Sequence, residues 1–251
     1  MNDSQYLKAI PDVFMSLRLL LMQFVFFVLF FGTSFSANAT AVSLCIKVLE
    51  YNLYLSGIST GYMRKNEQWL AEVVTAKSRS RASILGIGSS YTQSSEMVLE
   101  EGVWLTQSFH QKVTGFRKRD MLVSFPNSVN HSLVMLNGEE HRYESDDEPL
   151  RDIDTITMQI RQNLIDQKKS FSLVRQASDG IEAYQYEVLA SQVREYERWG
   201  DMDVIPVKQS GADKITYYYS PRLDYQIVEA RYHGFLLNGR AELVDFTSSC
   251  N

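Results

Sequence analysis

Four histidines, His110, His131, His141 and His233, are the first residues to test for chemistry. None stands in an HExxH or HxH pattern, the spacings that place two imidazoles around one zinc ion. The sequence therefore gives a metal site no local support. Gly86-Ile87-Gly88-Ser89 is not a nucleophile elbow, because the serine is displaced and no glycine follows it. It reads as a flexible connection or a strand bulge. Asp146, Asp147 and Glu148 could offer oxygens to Ca²⁺, but an EF-type loop needs alternating ligands around a central glycine. Pro149 and a helix start follow instead, so this is a solvated acidic turn. A glycan-cleaving pair of carboxylates is defined by distance in space, which spacing in the chain does not set. Asp224, Glu187, Glu229 and His233 are the residues such a cleft would draw on first. No catalytic, metal or cofactor motif emerges, and no cofactor is expected.

Tyrosines are more suggestive. Tyr217, Tyr218 and Tyr219 are consecutive, so on a strand they point to both faces. Tyr184 and Tyr186 share a face. Tyr217, Tyr219, Tyr184 and Tyr186 are candidates for lining a cleft that takes an amphiphile or a glycan. Cross-strand aromatic packing is the competing reading.

The elements that position these residues are mostly strands. Leu49, Tyr51, Leu53 and Leu55 alternate with Glu50, Asn52 and Tyr54, the period of a half-buried strand. Gly57 and Gly61 mark a turn into a second strand. WLAEVVTAK (69–77) reads as a third, and EMVLEEGVWLTQSF (96–109) as two strands around Glu101-Gly102. Met121, Val123 and Phe125 share one face of another. Asn137-Gly138, Asp179-Gly180 and Asn238-Gly239 each predict a tight hairpin, because these pairs accept the positive φ of a type I′ turn. KITYYYS (214–220) and YQIVEARY (225–232) form a further pair around Pro221. In all, roughly 10 to 12 strands are expected.

One segment changes period. Ile153, Ile156, Ile160 and Leu164 recur at three and four, behind Asp152 and Asp154, which suit a helix N-terminus. This predicts a helix over about residues 153–166, with Ile156 and Ile160 on the stripe that needs cover. The fold class is mainly β (α+β): a large curved antiparallel sheet or incomplete β-barrel. The helix lies on its concave side or across its mouth.

The N-terminus carries an address. Leu19 to Phe31 is apolar apart from Gln23. At roughly 1.5 Å per residue it spans about 20 Å, short of the ~30 Å hydrocarbon core. Ala37-Asn38-Ala39 follows as an A-x-A site, which places cleavage between Ala39 and Thr40. Residues 1–39 are thus a signal peptide and 40–251 a single β-rich domain, with no transmembrane anchor after cleavage. Asp3, Lys8 and Asp12 do not make a positive n-region, whereas a start at Met15 leaves Arg18 in one. An uncleaved signal anchor is the alternative. Leu44 before Cys45 excludes a lipobox.

The chain carries a formal charge of −5, which argues against a nucleic-acid partner. Arg117-Lys118-Arg119 is followed at once by Asp120 and starts no basic stripe. The two cysteines, Cys45 and Cys250, lie at opposite ends of the exported part. Export favours a disulfide between them over two free thiols.

Several of these segments, taken in order, resemble domain-of-unknown-function family 3108. They are YNLYLSGISTGYMR, with its tyrosine-led strand and glycine hairpin, RDIDTITMQIRQNL, with its aspartate-led helix, and TYYYSPRLDYQIVEARY, with its aromatic strand and proline turn. The similarity spans about residues 45 to 248, and it departs where Tyr218 or Tyr219 stands in place of a frequent tryptophan. The resemblance implies an exported bacterial envelope protein located in the periplasm, and it implies no catalytic residue. The expected function is non-enzymatic binding of a hydrophobic or lipid-like ligand, or of an envelope partner's segment, in a concave cavity. A cell-wall glycan- or peptide-processing enzyme and a structural assembly factor are the alternatives.

Overall fold

The structure, a computed structural model, describes residues 43–250 apart from 85–86, 116–117, 127, 147 and 235–236. The expected signal peptide and cleavage site, Ala39 and Thr40, lie outside the described residues, as do Gly86, Arg117 and Asp147. Among the described residues no helix is long and apolar enough to cross a membrane.

Among the described residues the strands form one 16-stranded sheet. The first eight strands form an up-and-down meander: β1 (Cys45–Leu55), β2 (Ile58–Leu70), β3 (Val73–Ile84), β4 (Ile87–Glu100), β5 (Val103–Gly115), β6 (Arg119–Ser124), β7 (His131–Leu136) and β8 (Glu139–Glu144). A two-residue strand, β9 (Leu150–Arg151), leads into α1 (Ile153–Ile165). The second half returns as β10 (Ser170–Gln176), β11 (Ile181–Val188), β12 (Gln192–Tyr196), β13 (Gly200–Gly211), β14 (Ile215–Ser220), β15 (Gln226–His233) and β16 (Asn238–Ser248). β16 pairs antiparallel with β1, so the two halves join along the first and last described strands. The Cys45–Cys250 disulfide ties that joint, with Cα atoms 5.0 Å apart.

The free edges of the two halves curl toward each other. Ser132 on β7 donates to Gln176 Oε1 on β10 at 2.5 Å, and Arg119 on β6 donates to Ser178 Oγ at 3.1 Å. Arg151 on β9 donates from Nε to the Trp104 carbonyl of β5 at 2.9 Å. Burial pulls its guanidinium down to about 10, against Glu148, so it stays charged at neutral pH. These contacts close the sheet into a nearly complete barrel.

The helix fills one end of that barrel. Asp152 caps it, accepting the N–H groups of Asp154 and Thr155 at 2.7 and 3.3 Å. Its other oxygen accepts hydroxyls from Ser95 and Thr106, both at 2.8 Å, which fixes the helix start to β4 and β5. Ile156, Ile160 and Leu164 pack against Leu173, Tyr184, Tyr186, Val207, Tyr217 and Tyr219. Each buried aliphatic side chain contributes roughly 1.5–3 kcal/mol relative to exposure. Met158 faces the opposite wall of Val74, Ala76, Met97 and Trp104. The helix is therefore apolar on two sides because it has sheet on two sides.

The strand count exceeds the 10 to 12 expected. WLAEVVTAK is not one strand: Trp69 and Leu70 end β2, Ala71 takes a left-handed φ of 53°, and β3 begins at Val73. Asn137-Gly138 is a tight hairpin, with φ of 53° and 93°. Asp179-Gly180 lies in a longer turn, where Ala177 N–H donates to the Gly180 carbonyl at 2.9 Å. Asn238-Gly239 is no turn at all. Both residues are inside β16, paired with His233 and Tyr232, and Gly239 is also opposite Leu55. Ladder bonds on two sides outweigh the local turn preference there.

Candidate functional site

Strand ends differ in size at the two ends of the barrel. Toward Trp69, Met97 and Trp104 the inward positions are large and buried. At the other end several wall positions are small: Thr60, Ala82, Ser89, Ala230 and Ala241. Small side chains leave a mouth cavity of about 750 Å³, walled by Leu53, Leu55, Ile215, Tyr217 and Tyr232. Its walls are almost wholly apolar, and its volume falls within the roughly 300–1,000 Å³ of small-molecule sites.

A second cavity of about 210 Å³ lies deeper and shares Tyr217, Ala230 and Ala241 with the mouth. Its walls are of another kind. Lys65 on β2 lies 3.0 Å from Asp154 of α1 and 3.1 Å from Glu67. Gln93 donates to Asp154 at 2.9 Å. Burial alone would pull the Lys65 ammonium down, but the two carboxylates outweigh it and hold its pKa above the usual lysine range. Arg161 pairs with Asp224, which also takes Lys47 Nζ at 2.5 Å. Burial pushes the Asp224 carboxyl up, yet the hydrogen bond from Lys47 and the charge of Arg161 bring it below the usual carboxylate range. Trp69 sits among these charges, with Lys47 Nζ 4.1 Å from its ring centroid and its own Nε1 donating to Glu67 at 3.2 Å.

Not all of this inner wall is paired. The Tyr219 hydroxyl and Gln226 Nε2 are buried and lack a hydrogen-bond partner among the described residues. Both residues line the deeper cavity.

Of the tyrosines singled out from sequence, Tyr217 and Tyr219 line the cavities. Tyr184 and Tyr186 pack beside them in the core with Ile156 and Ile160, and their hydroxyls are spoken for. Tyr184 donates to Glu182 at 2.5 Å, and burial pushes its phenol up to about 12. Tyr186 and Tyr217 both donate to Gln209 Oε1, at 2.9 and 3.1 Å. Tyr218 points to the other face, under Arg194 at 4.3 Å.

Residues that a hydrolytic cleft would use are dispersed. Asp224, its side chain 47% exposed, pairs with Lys47 and Arg161. Glu229 is buried beneath β12, held by Arg231 at 2.6 Å, Arg194 at 3.2 Å and the Tyr196 hydroxyl at 3.3 Å. His233 is exposed beside Thr216, and Glu187 is exposed on β11. No hydrogen bond or ion pair joins any two of these four among the described residues. Nor do three or more His, Cys, Asp or Glu gather there into a group able to hold a metal ion.

Lys47, Lys65, Glu67, Asp154, Arg161 and Gln226 were not foreseen from sequence. A signal for part of this existed. Lys47 shares the buried face of Leu49 and Tyr51, and Lys65 and Glu67 share that of Met63 and Trp69. Charges standing in the apolar register of a strand mark a polar interior.

Fold and cavities together define a β-barrel-like protein filled at one end by a helix and open at the other. It is similar to a crystal structure of a β-barrel-like protein of the domain of unknown function DUF1849 from Brucella abortus. The TM-score is 0.57 at 12% identity, over 82% of this chain and 98% of that one. At that identity the likeness concerns the fold. No protein-family model matches the chain, family 3108 included. No curated protein matches its sequence.

Proposed function

We propose that this protein is a non-enzymatic carrier of the cell envelope, exported to the periplasm, that holds a hydrophobic or lipid-like ligand in the mouth of its barrel. The observation that carries this reading is the 750 Å³ apolar mouth built from small inward residues. Apolar walls of this extent gain when an apolar ligand, in place of solvent, covers them. The resemblance to family 3108 and the signal-like segment support an envelope location, and the disulfide suits an oxidising compartment.

Titration with the uncharged, apolar dye N-phenyl-1-naphthylamine tests the reading. Fluorescence should saturate at one equivalent, and Ala82→Trp in the mouth should weaken binding about tenfold or more. Non-saturating fluorescence, or equal binding by both proteins, would defeat it. Mass spectrometry of protein from the periplasmic fraction tests the location. A chain beginning at Thr40 is the expected result, and a retained Lys8 peptide in the mature protein argues the other way.

A further inference from the structure

The deeper cavity asks for something the mouth does not. Its 210 Å³ far exceeds the ~10–15 Å³ that a single water needs, so one bridging water does not account for it. Tyr219 is 1% exposed and Gln226 7%; both residues line the cavity, and each holds a buried polar atom with no partner among the described residues. Leaving such groups unmet is costly, and native interiors seldom do so. Tyr219 keeps its proton, because burial raises its phenol well above the ordinary tyrosine value. The wall therefore offers O–H and N–H donors.

Its charges are already committed. Lys65 is shared by Asp154 and Glu67, and Asp224 by Arg161 and Lys47. Of these, Lys65, Arg161, Glu67 and Asp154 line the cavity, two cations and two carboxylates, and each has its partner. An anionic head entering this space would find no unspent cation, and a cationic head no unspent carboxylate. A buried charge without a partner is disfavoured far more than a neutral polar group.

We infer that the ligand is an uncharged amphiphile bound head-first, with a carbonyl-type acceptor (ester, amide or ketone) on Tyr219 and Gln226 and its apolar chain running out through the mouth. This rests on the carrier reading for the mouth. Tyr217, Ala230 and Ala241 are the walls common to both spaces, so head and chain meet there.

The test is competition against N-phenyl-1-naphthylamine with four probes of equal chain length: decane, methyl decanoate, decanoate and decylamine. Methyl decanoate should compete about tenfold better than each of the other three. Tyr219→Phe and Gln226→Leu should each remove about tenfold of the ester's advantage and leave decane unchanged. Tyr219→Phe deletes one oxygen that has no partner, so its melting temperature without ligand should be unchanged or higher. If all four probes compete alike, or Tyr219→Phe leaves the ester unaffected, the head-first ester site is overturned while the carrier reading stands. A preference for decanoate or decylamine overturns the neutral head in particular. If the dye itself fails to bind saturably, the carrier reading falls and this inference falls with it.

Discussion

Lys65 and Asp154 hold each other across the inside of the barrel, the ammonium on β2 lying 3.0 Å from the carboxylate in the first turn of α1. Both side chains are nearly covered, at 12% and 7% exposure, and Glu67 completes the trio. Removing one partner from a buried pair costs about 3–5 kcal/mol, because the other charge stays buried and alone. Lys65→Met strands two carboxylates, so a loss of about 3 kcal/mol or more is expected in urea unfolding. The triple change Lys65→Met, Glu67→Gln, Asp154→Asn should recover much of that. A single variant as stable as wild type would show that the trio is solvated.

Asp224 makes stability depend on acid. Its folded-state pKa lies below the ordinary 3.8, so its pairing contributes fully above that value and is lost as pH falls through the folded one. Asp224→Asn should be less stable than wild type at neutral pH. Between about pH 5 and pH 3 it should lose less stability than wild type does. Parallel acid-unfolding curves for the two proteins would contradict this.

Gly61 faces a neighbour with no room to spare. A Cβ there would meet the Arg81 carbonyl oxygen at 1.8 Å, backbone against backbone. Gly61→Ala should cost about 3 kcal/mol, at the upper end of overpacking effects. Gly57 has a φ of +85° but open space around it. Gly57→Ala should cost only about 1 kcal/mol, the strain of a left-handed alanine. Thermal unfolding of the two variants side by side separates crowding from strain.

The Cys45–Cys250 bond closes a loop with a sequence separation of 205. The chain-entropy model gives about 5 kcal/mol as a ceiling for a loop of that length. Cys45→Ala/Cys250→Ala should unfold at lower urea with an altered m-value, because the unfolded state loses its tether. Equal midpoints for the double variant and the oxidised protein would mean that the strand pairing there suffices.

Much of this architecture was legible in the chain because period and capping are local. Ile153–Ile165 declared itself through Asp152 and its three-and-four spacing. Tyr217 to Tyr219 declared a strand with two faces. Asn137-Gly138 made its turn, while Asn238-Gly239 did not, because strands on both sides claimed its backbone. Strands were undercounted where inward residues are small and outward ones polar. Ser78 and Ser80 of β3 carry no hydrophobic period, yet they run beside β2 and β4. The site was less legible than the fold. That Tyr219 and Gln226 go unpartnered depends on what stands around them, which no spacing encodes.

The join of β1 to β16 has a kinetic consequence. Lys47 is opposite Ser248 and Leu55 opposite Gly239, and this ladder holds the pairings most distant in sequence among the described residues. β1 can zip to β2 early, but its other edge stays bare until the final strand arrives. Pairings of such high contact order come late and slow the overall reaction. A partly emerged chain thus has no finished barrel to fall into, and the thiol of Cys45 waits unpaired for the same event. Docking of β16 on β1 brings Cys250 to Cys45, so the crosslink is expected to follow the arrival of the last strand.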